Sequence, residues 1–160
     1  MKLMENAMKK EDEQQSYPLA RAYLGKVKTA EQKVKLLEMR IENMRLLLTG
    51  TSVQLSDLPR SDSPDQEKMA TVYAEIDELE REKAQAEEEM AEIRMETGRM
   101  ICKACKPNNQ QILILLYLQH SSWNEITEKL SLNRTTCFQR RNDGLEDLER
   151  FLESHKPEES

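Results

Sequence analysis

Between Lys129 and Asn142 the chain carries Lys129, Arg134, Arg140 and Arg141 and no acid, a local charge of +4. Acidic stretches flank this island. Glu75–Glu92 holds nine acids against two bases, and Asp143–Ser160 holds seven against two. Among the bases lie Asn133, Thr135, Thr136, Phe138, Gln139 and Asn142. Arg can pair with guanine, and Gln or Asn with adenine, in the major groove of duplex DNA. At helical spacing Arg134, Thr135, Gln139 and Asn142 share the face opposite Cys137, Gly144, Leu145 and Leu148. Lys129, Arg140 and Arg141 suit phosphate contacts, which position a duplex without reading its sequence. A small helical bundle with one polar helix would show the same residue types. The island therefore points to double-stranded DNA only if its local structure is right.

Other chemistry is weaker. Cys102-Lys103-Ala104-Cys105 has the spacing of a zinc-ligand pair, but a structural zinc takes four ligands. Cys137, His120 and His155 are scattered, so the two thiols are read as ordinary residues near a helix end, with no metal. His120 fits a helix end, where the dipole favours it. No Ser/His/Asp grouping, phosphate-binding glycine loop or paired-carboxylate pocket stands out. The expectation is a protein that is not an enzyme and needs no cofactor.

The elements that would position the island are legible. Ser122 followed by Glu125 forms a capping box, opening a short helix with Trp123, Ile126, Thr127 and Leu130 on its inner face. Ser131-Leu132-Asn133 makes a turn with Leu132 inward. Asn133 caps a helix over 134–152. Pro107 closes the preceding helix, and Ile112–Leu118, seven apolar residues, reads as a buried helix from about Asn108 to Gln119. Residues 107–153 thus predict a helix-turn-helix domain, followed by a disordered acidic tail over 154–160. Gly144, mid-helix, is expected to loosen the far end.

Upstream, Ala20, Tyr23, Val27, Ala30, Val34, Leu37, Ile41, Met44 and Leu48 alternate in spacing between 3 and 4. So do Met69, Val72, Ile76, Leu79, Lys83, Ala86, Met90, Ile93, Thr97, Met100 and Ala104. Each is a heptad seam. Pro18 opens the first helix and Gly50 closes it. A loop over 49–66 follows, with Ser63 or Asp65 capping a second helix from about Gln66 to Lys106. Lys83 either fixes register or snorkels. Residues 18–106 predict a long antiparallel hairpin, preceded by a flexible arm over 1–17. Charged residues at 34% and aromatics at 4% suit such helices better than a large globular core. The seams are narrow, so a homodimer through the hairpin is expected. No run approaches the roughly 20 apolar residues of a membrane span. With no secretion signal, free thiols in the cytoplasm are expected.

Taken together, the fold class is all-α. The chain resembles phage and prophage proteins of Gram-positive bacteria related to the ArpU and RinA late-transcription regulators. Their C-terminal domain is similar to region 4 of sigma-70 factors. The resemblance runs from about Tyr23 to Leu152. It rests on Leu55-Ser56-Asp57-Leu58-Pro59-Arg60-Ser61 leading to Lys68-Met69, on Ile76-Asp77-Glu78-Leu79-Glu80, and on Ser122-Trp123-Asn124-Glu125-Ile126 with the helix after it. The family's last stretch is typically Ser-Trp-x-x-Ile-Ala, a loop, Ser-x-x-Thr-Val-Tyr and a closing Ala-Leu. Here Asn133 stands for the capping Ser, Thr136 matches the Thr, Cys137 and Phe138 replace Val-Tyr, and Gly144-Leu145 stands for Ala-Leu. Thr127 replaces a small Ala, and Arg140 sits where the family has an apolar inward residue. The resemblance implies a regulator that binds promoter DNA and leaves open a contact with host RNA polymerase. A DNA-packaging protein of phage type and a helical adaptor that no longer binds DNA are the rival readings.

Overall fold

The computed structural model describes residues 16–49 and 62–155. Every element among them is helical: α1 (Pro18–Thr49), α2 (Asp62–Ala104), α3 (Pro107–Leu113), a π-helical segment (Ile114–Leu118), α4 (Trp123–Leu130) and α5 (Arg134–Ser154). The all-α class follows, with α1 and α2 forming the hairpin. No helix among the described residues is long and apolar enough to cross a membrane. The chain divides into two compact units, residues 29–92 and residues 1–28 with 93–160.

The unit over 29–92 is held by the expected seams. Val34, Leu37, Ile41, Ile76, Leu79 and Ala86 are buried together, with Met44, Leu48, Val72 and Met90 packed on them. Lys33 pairs with Glu89, Lys83 with Glu38, and Arg45 with Glu80, at 3.5, 3.6 and 2.8 Å. Rising numbers on α1 meet falling numbers on α2, so the helices run antiparallel. Lys83 keeps its seam position by reaching out to Glu38 and Glu87. Met69 is the exception: it is 47% exposed and not part of the seam.

The other unit has two cores. One gathers Ala20, Leu24, Ile101, Cys105, Leu113, Leu145 and Leu148. The other gathers Ile112, Leu115, Ile126 and Cys137, closed by Trp123, Leu130 and Leu132. The apolar run supplies both, with Leu113 facing the first core and Ile112 and Leu115 the second. Its last turn is widened to a π-helix rather than continuing the expected α-helix. Gln119 N–H donates to the Ile114 carbonyl at 3.0 Å, five residues back. Arg94 Nη2 donates to the Leu118 carbonyl at 2.9 Å, satisfying a helix-end acceptor. His120 then adopts φ 53°, and Ser121 N–H returns to the Leu115 carbonyl.

Several boundaries differ from expectation. α2 starts at Asp62, ahead of the expected Gln66, so Ser63 and Asp65 lie within its span. Pro64 is tolerated there because first-turn N–H groups have no helical partner. α2 ends at Ala104, two residues before the expected Lys106, and Pro107 is the first residue of α3, one before the expected Asn108. Tyr17, expected in the arm, packs on the first core. α5 runs to Ser154. Residues 1–15 of the expected arm, Gly50 and most of the loop, and the tail beyond His155 lie outside the described residues.

α5 runs unbroken through Gly144 to Ser154. Gly144 is buried, and Leu145 and Leu148 beyond it are fully buried. A Cβ there would meet Leu113 Cγ at 3.1 Å and Asn109 Cβ at 3.3 Å. Glycine lets α3 and α5 approach closely, and the Cys105 thiol donates to the Gly144 carbonyl at 3.4 Å. Glu149 holds a second long-range tie. Its carboxylate, nearly buried, accepts from Leu19 N–H at 3.2 Å and Ala20 N–H at 2.7 Å. It thereby caps the start of α1, where a negative charge also suits the helix dipole.

Candidate nucleic-acid interface

The site is built on two caps. At α4 the Ser122 hydroxyl accepts from Glu125 N–H, while the Glu125 carboxylate accepts from Ser122 N–H at 3.1 Å. Both halves of the capping box are thus present. α4 ends at Ser131, which takes the left-handed conformation at φ 53°. Leu132 N–H returns to the Thr127 carbonyl at 3.2 Å, and Leu132 packs into the core beside Cys137. Asn133 is extended, and its Oδ1 accepts from Thr136 N–H at 2.8 Å. Asn133 is therefore a cap first, its side-chain oxygen already engaged.

From this start α5 divides its residues by face. Cys137, Gly144, Leu145 and Leu148 are buried, as the spacing predicts. Arg134, Thr135 and Gln139 are exposed. Arg134 reaches back to α4, donating to Asn124 Oδ1 at 2.5 Å. Lys129, at the end of α4, is exposed as well. Thr136 is half-buried next to the cap.

The remaining candidates depart from the expected outer face. Arg140, expected inward, is half-buried in a surface cleft with Lys106, Asp143, Asp147 and Arg150. The arginine turned toward the core side is Arg141. Its guanidinium lies 5.4 Å from the ring centres of both Trp123 and Phe138. Those two rings meet edge to face at 4.6 Å. Asn142 is half-buried and accepts from Arg141 Nε at 3.2 Å. The physical reason is the 3.6-residue period: Arg141 falls seven residues before Leu148 and four after Cys137, so it shares their side of the helix. Of the four bases, Lys129 and Arg134 are exposed, Arg134 while bonded to Asn124, whereas Arg140 and Arg141 are partly covered.

Among the described residues no group of three or more His, Cys, Asp or Glu is placed to hold a metal ion. Cys102 is exposed and Cys105 buried. Burial, with the nearby Asp147 and Cys102, pushes the Cys105 thiol up to about 12. Sequence reasoning missed Glu149, and it missed the Trp123–Phe138–Arg141 stack. Two aromatics and a base at those positions do not reveal a contact that depends on how α4 crosses α5.

Residues 60–149 match the family model described as "Protein of unknown function (DUF1492)". No curated protein matches the chain, and no solved structure does.

Proposed function

The chain belongs to the DUF1492 family, and from that premise we propose that it is a DNA-binding regulator whose α4–turn–α5 unit works as a helix-turn-helix. One observation carries the reading. The capped first turns of α5 expose Arg134, Thr135 and Gln139 on the side away from the core, directly after a short capped helix and a three-residue turn. A helix presented this way can enter the major groove and offer donors and acceptors to base edges. Its N-terminus, with Lys129 beside it, favours a phosphate. The resemblance to ArpU- and RinA-type regulators and to sigma-70 region 4 supports a promoter-binding role of phage or prophage origin, in the cytoplasm and beside host RNA polymerase. This is a binding protein rather than an enzyme.

The hairpin's part in the proposal is pairing. Leu36, Met39, Leu46 and Leu47 are each at least half exposed on α1. Leu36, Met39, Asn43 and Leu46 fall at spacings of 3, 4 and 3, with Leu47 beside them, a second stripe opposite the buried seam. A second copy covering that stripe would place two reading helices on one duplex, as paired half-sites require.

Selection of bound fragments from sheared genomic DNA with the purified full-length protein tests the reading. A recurring promoter-proximal sequence is expected, and Gln139→Ala should relax the preference at one base pair. Recovery of fragments with no shared sequence would refute sequence-specific regulation. Recovery confined to one genome-packaging locus would instead favour the packaging reading.

A further inference from the structure

Three cationic side chains line an open cleft of about 450 Å³, Arg21 and Lys28 from α1 and Arg141 from α5, with His120 after the π-helical segment beside them. Tyr117 and Trp123 supply aromatic wall, and no carboxylate is among the lining residues. The cleft around Lys106 and Arg140 makes the contrast. It has a similar volume, but Asp143, Glu146 and Asp147 balance its bases. Two of the cations of the first cleft are held in place. Arg21 Nε donates to the Ser16 carbonyl at 2.7 Å, and Arg141 sits against Trp123. Both arginines act electrostatically on the half-buried Tyr117 hydroxyl, opposing the upward push of burial. Like charges gathered in a concave, partly aromatic site repel one another, and an anion relieves that repulsion.

We propose that this cleft binds a phosphate group, with Arg21, Lys28 and Arg141 as its charge partners. Arg matches phosphate geometry with paired donors, and Lys adds a point charge. The aromatic walls suit the sugar or base attached to the phosphate. Two sources share this chemistry: the backbone of a duplex bound by α5, whose Arg141 the cleft shares, and a free nucleotide. Phosphate binding as such stands without the DNA reading, and only the duplex source rests on it.

Trp123 is the chain's single tryptophan, so its emission reports on the cleft. Full-length protein is titrated with inorganic pyrophosphate and, separately, with a short DNA duplex at several salt concentrations. Wild type, Lys28→Gln and Arg21→Gln/Lys28→Gln are compared after circular dichroism shows each folded. The expected result is a saturable emission change with pyrophosphate, at least about tenfold weaker in the double variant and intermediate in Lys28→Gln. If the duplex is the source, the double variant also loses roughly two from the slope of log affinity against log salt. An unchanged slope with weakened pyrophosphate binding assigns the cleft to a nucleotide. No saturable change in wild type, or equal pyrophosphate affinity in wild type and both folded variants, overturns the proposal. Pyrophosphate binding without any duplex binding leaves the cleft standing and removes the regulator reading instead.

Discussion

Three residues bear more of the fold than their types suggest. Glu149 reads as one more acid in a charged helix, yet its buried carboxylate holds the first N–H groups of α1. Glu149→Ala leaves those donors unsatisfied and should cost about 2–3 kcal/mol, seen as a lower urea midpoint with an unchanged slope. Gly144 reads as a weak point, yet it is where α3 and α5 touch. Helix propensity alone favours Gly144→Ala by about 1 kcal/mol. The crowding with Leu113 and Asn109 opposes it, and overpacking typically costs about 1–3 kcal/mol. Net destabilisation is expected, and a higher melting temperature would refute the close-approach account. Cys105 carries a pH consequence. Its thiol rises from an ordinary value of 9.0 to about 12 in the fold. The stability this confers is complete below pH 9 and is lost as pH rises toward 12. With a thiol-reactive dye at pH 8, Cys102 should react fast, and Cys105 and Cys137 only on unfolding.

At the scale of elements, what the sequence discloses depends on the range of the interaction. The 3-and-4 seams of α1 and α2, the capping box at Ser122 and the Asn133 cap are local patterns, and the helices form where those patterns place them. The inward face of α5 is legible for the same reason. Contacts between distant segments leave no local signature. The π-helical turn arises where one apolar run must serve two cores, and no residue within Ile114–Leu118 announces it. Arg140 and Arg141 are adjacent and alike in type, so only the helical phase and the position of Trp123 separate them. The turn between α4 and α5 offers a direct check. Ser131 sits in the left-handed region that favours glycine. Ser131→Gly should leave duplex binding intact and raise stability by up to about 1 kcal/mol. A large loss of binding with the fold preserved would mean that Ser131 itself touches the ligand.

For the whole molecule, family membership covers residues 60–149, a span that includes α2 to α4 and most of α5. The proposed pairing through α1 predicts a dimer by sedimentation equilibrium, shifted to monomer by Leu36→Glu with Leu46→Glu. Both positions are more than half exposed, so the folded chain should tolerate the change. The central claim, that α5 meets duplex DNA, is tested most directly by fluorescence anisotropy of a labelled random duplex, with full-length protein, from low to moderate salt. Clear binding is expected at low salt, falling steeply as salt rises, with at least about tenfold weaker binding for folded Arg134→Ala/Gln139→Ala. No binding at low salt, or equal binding by that variant, would contradict the claim.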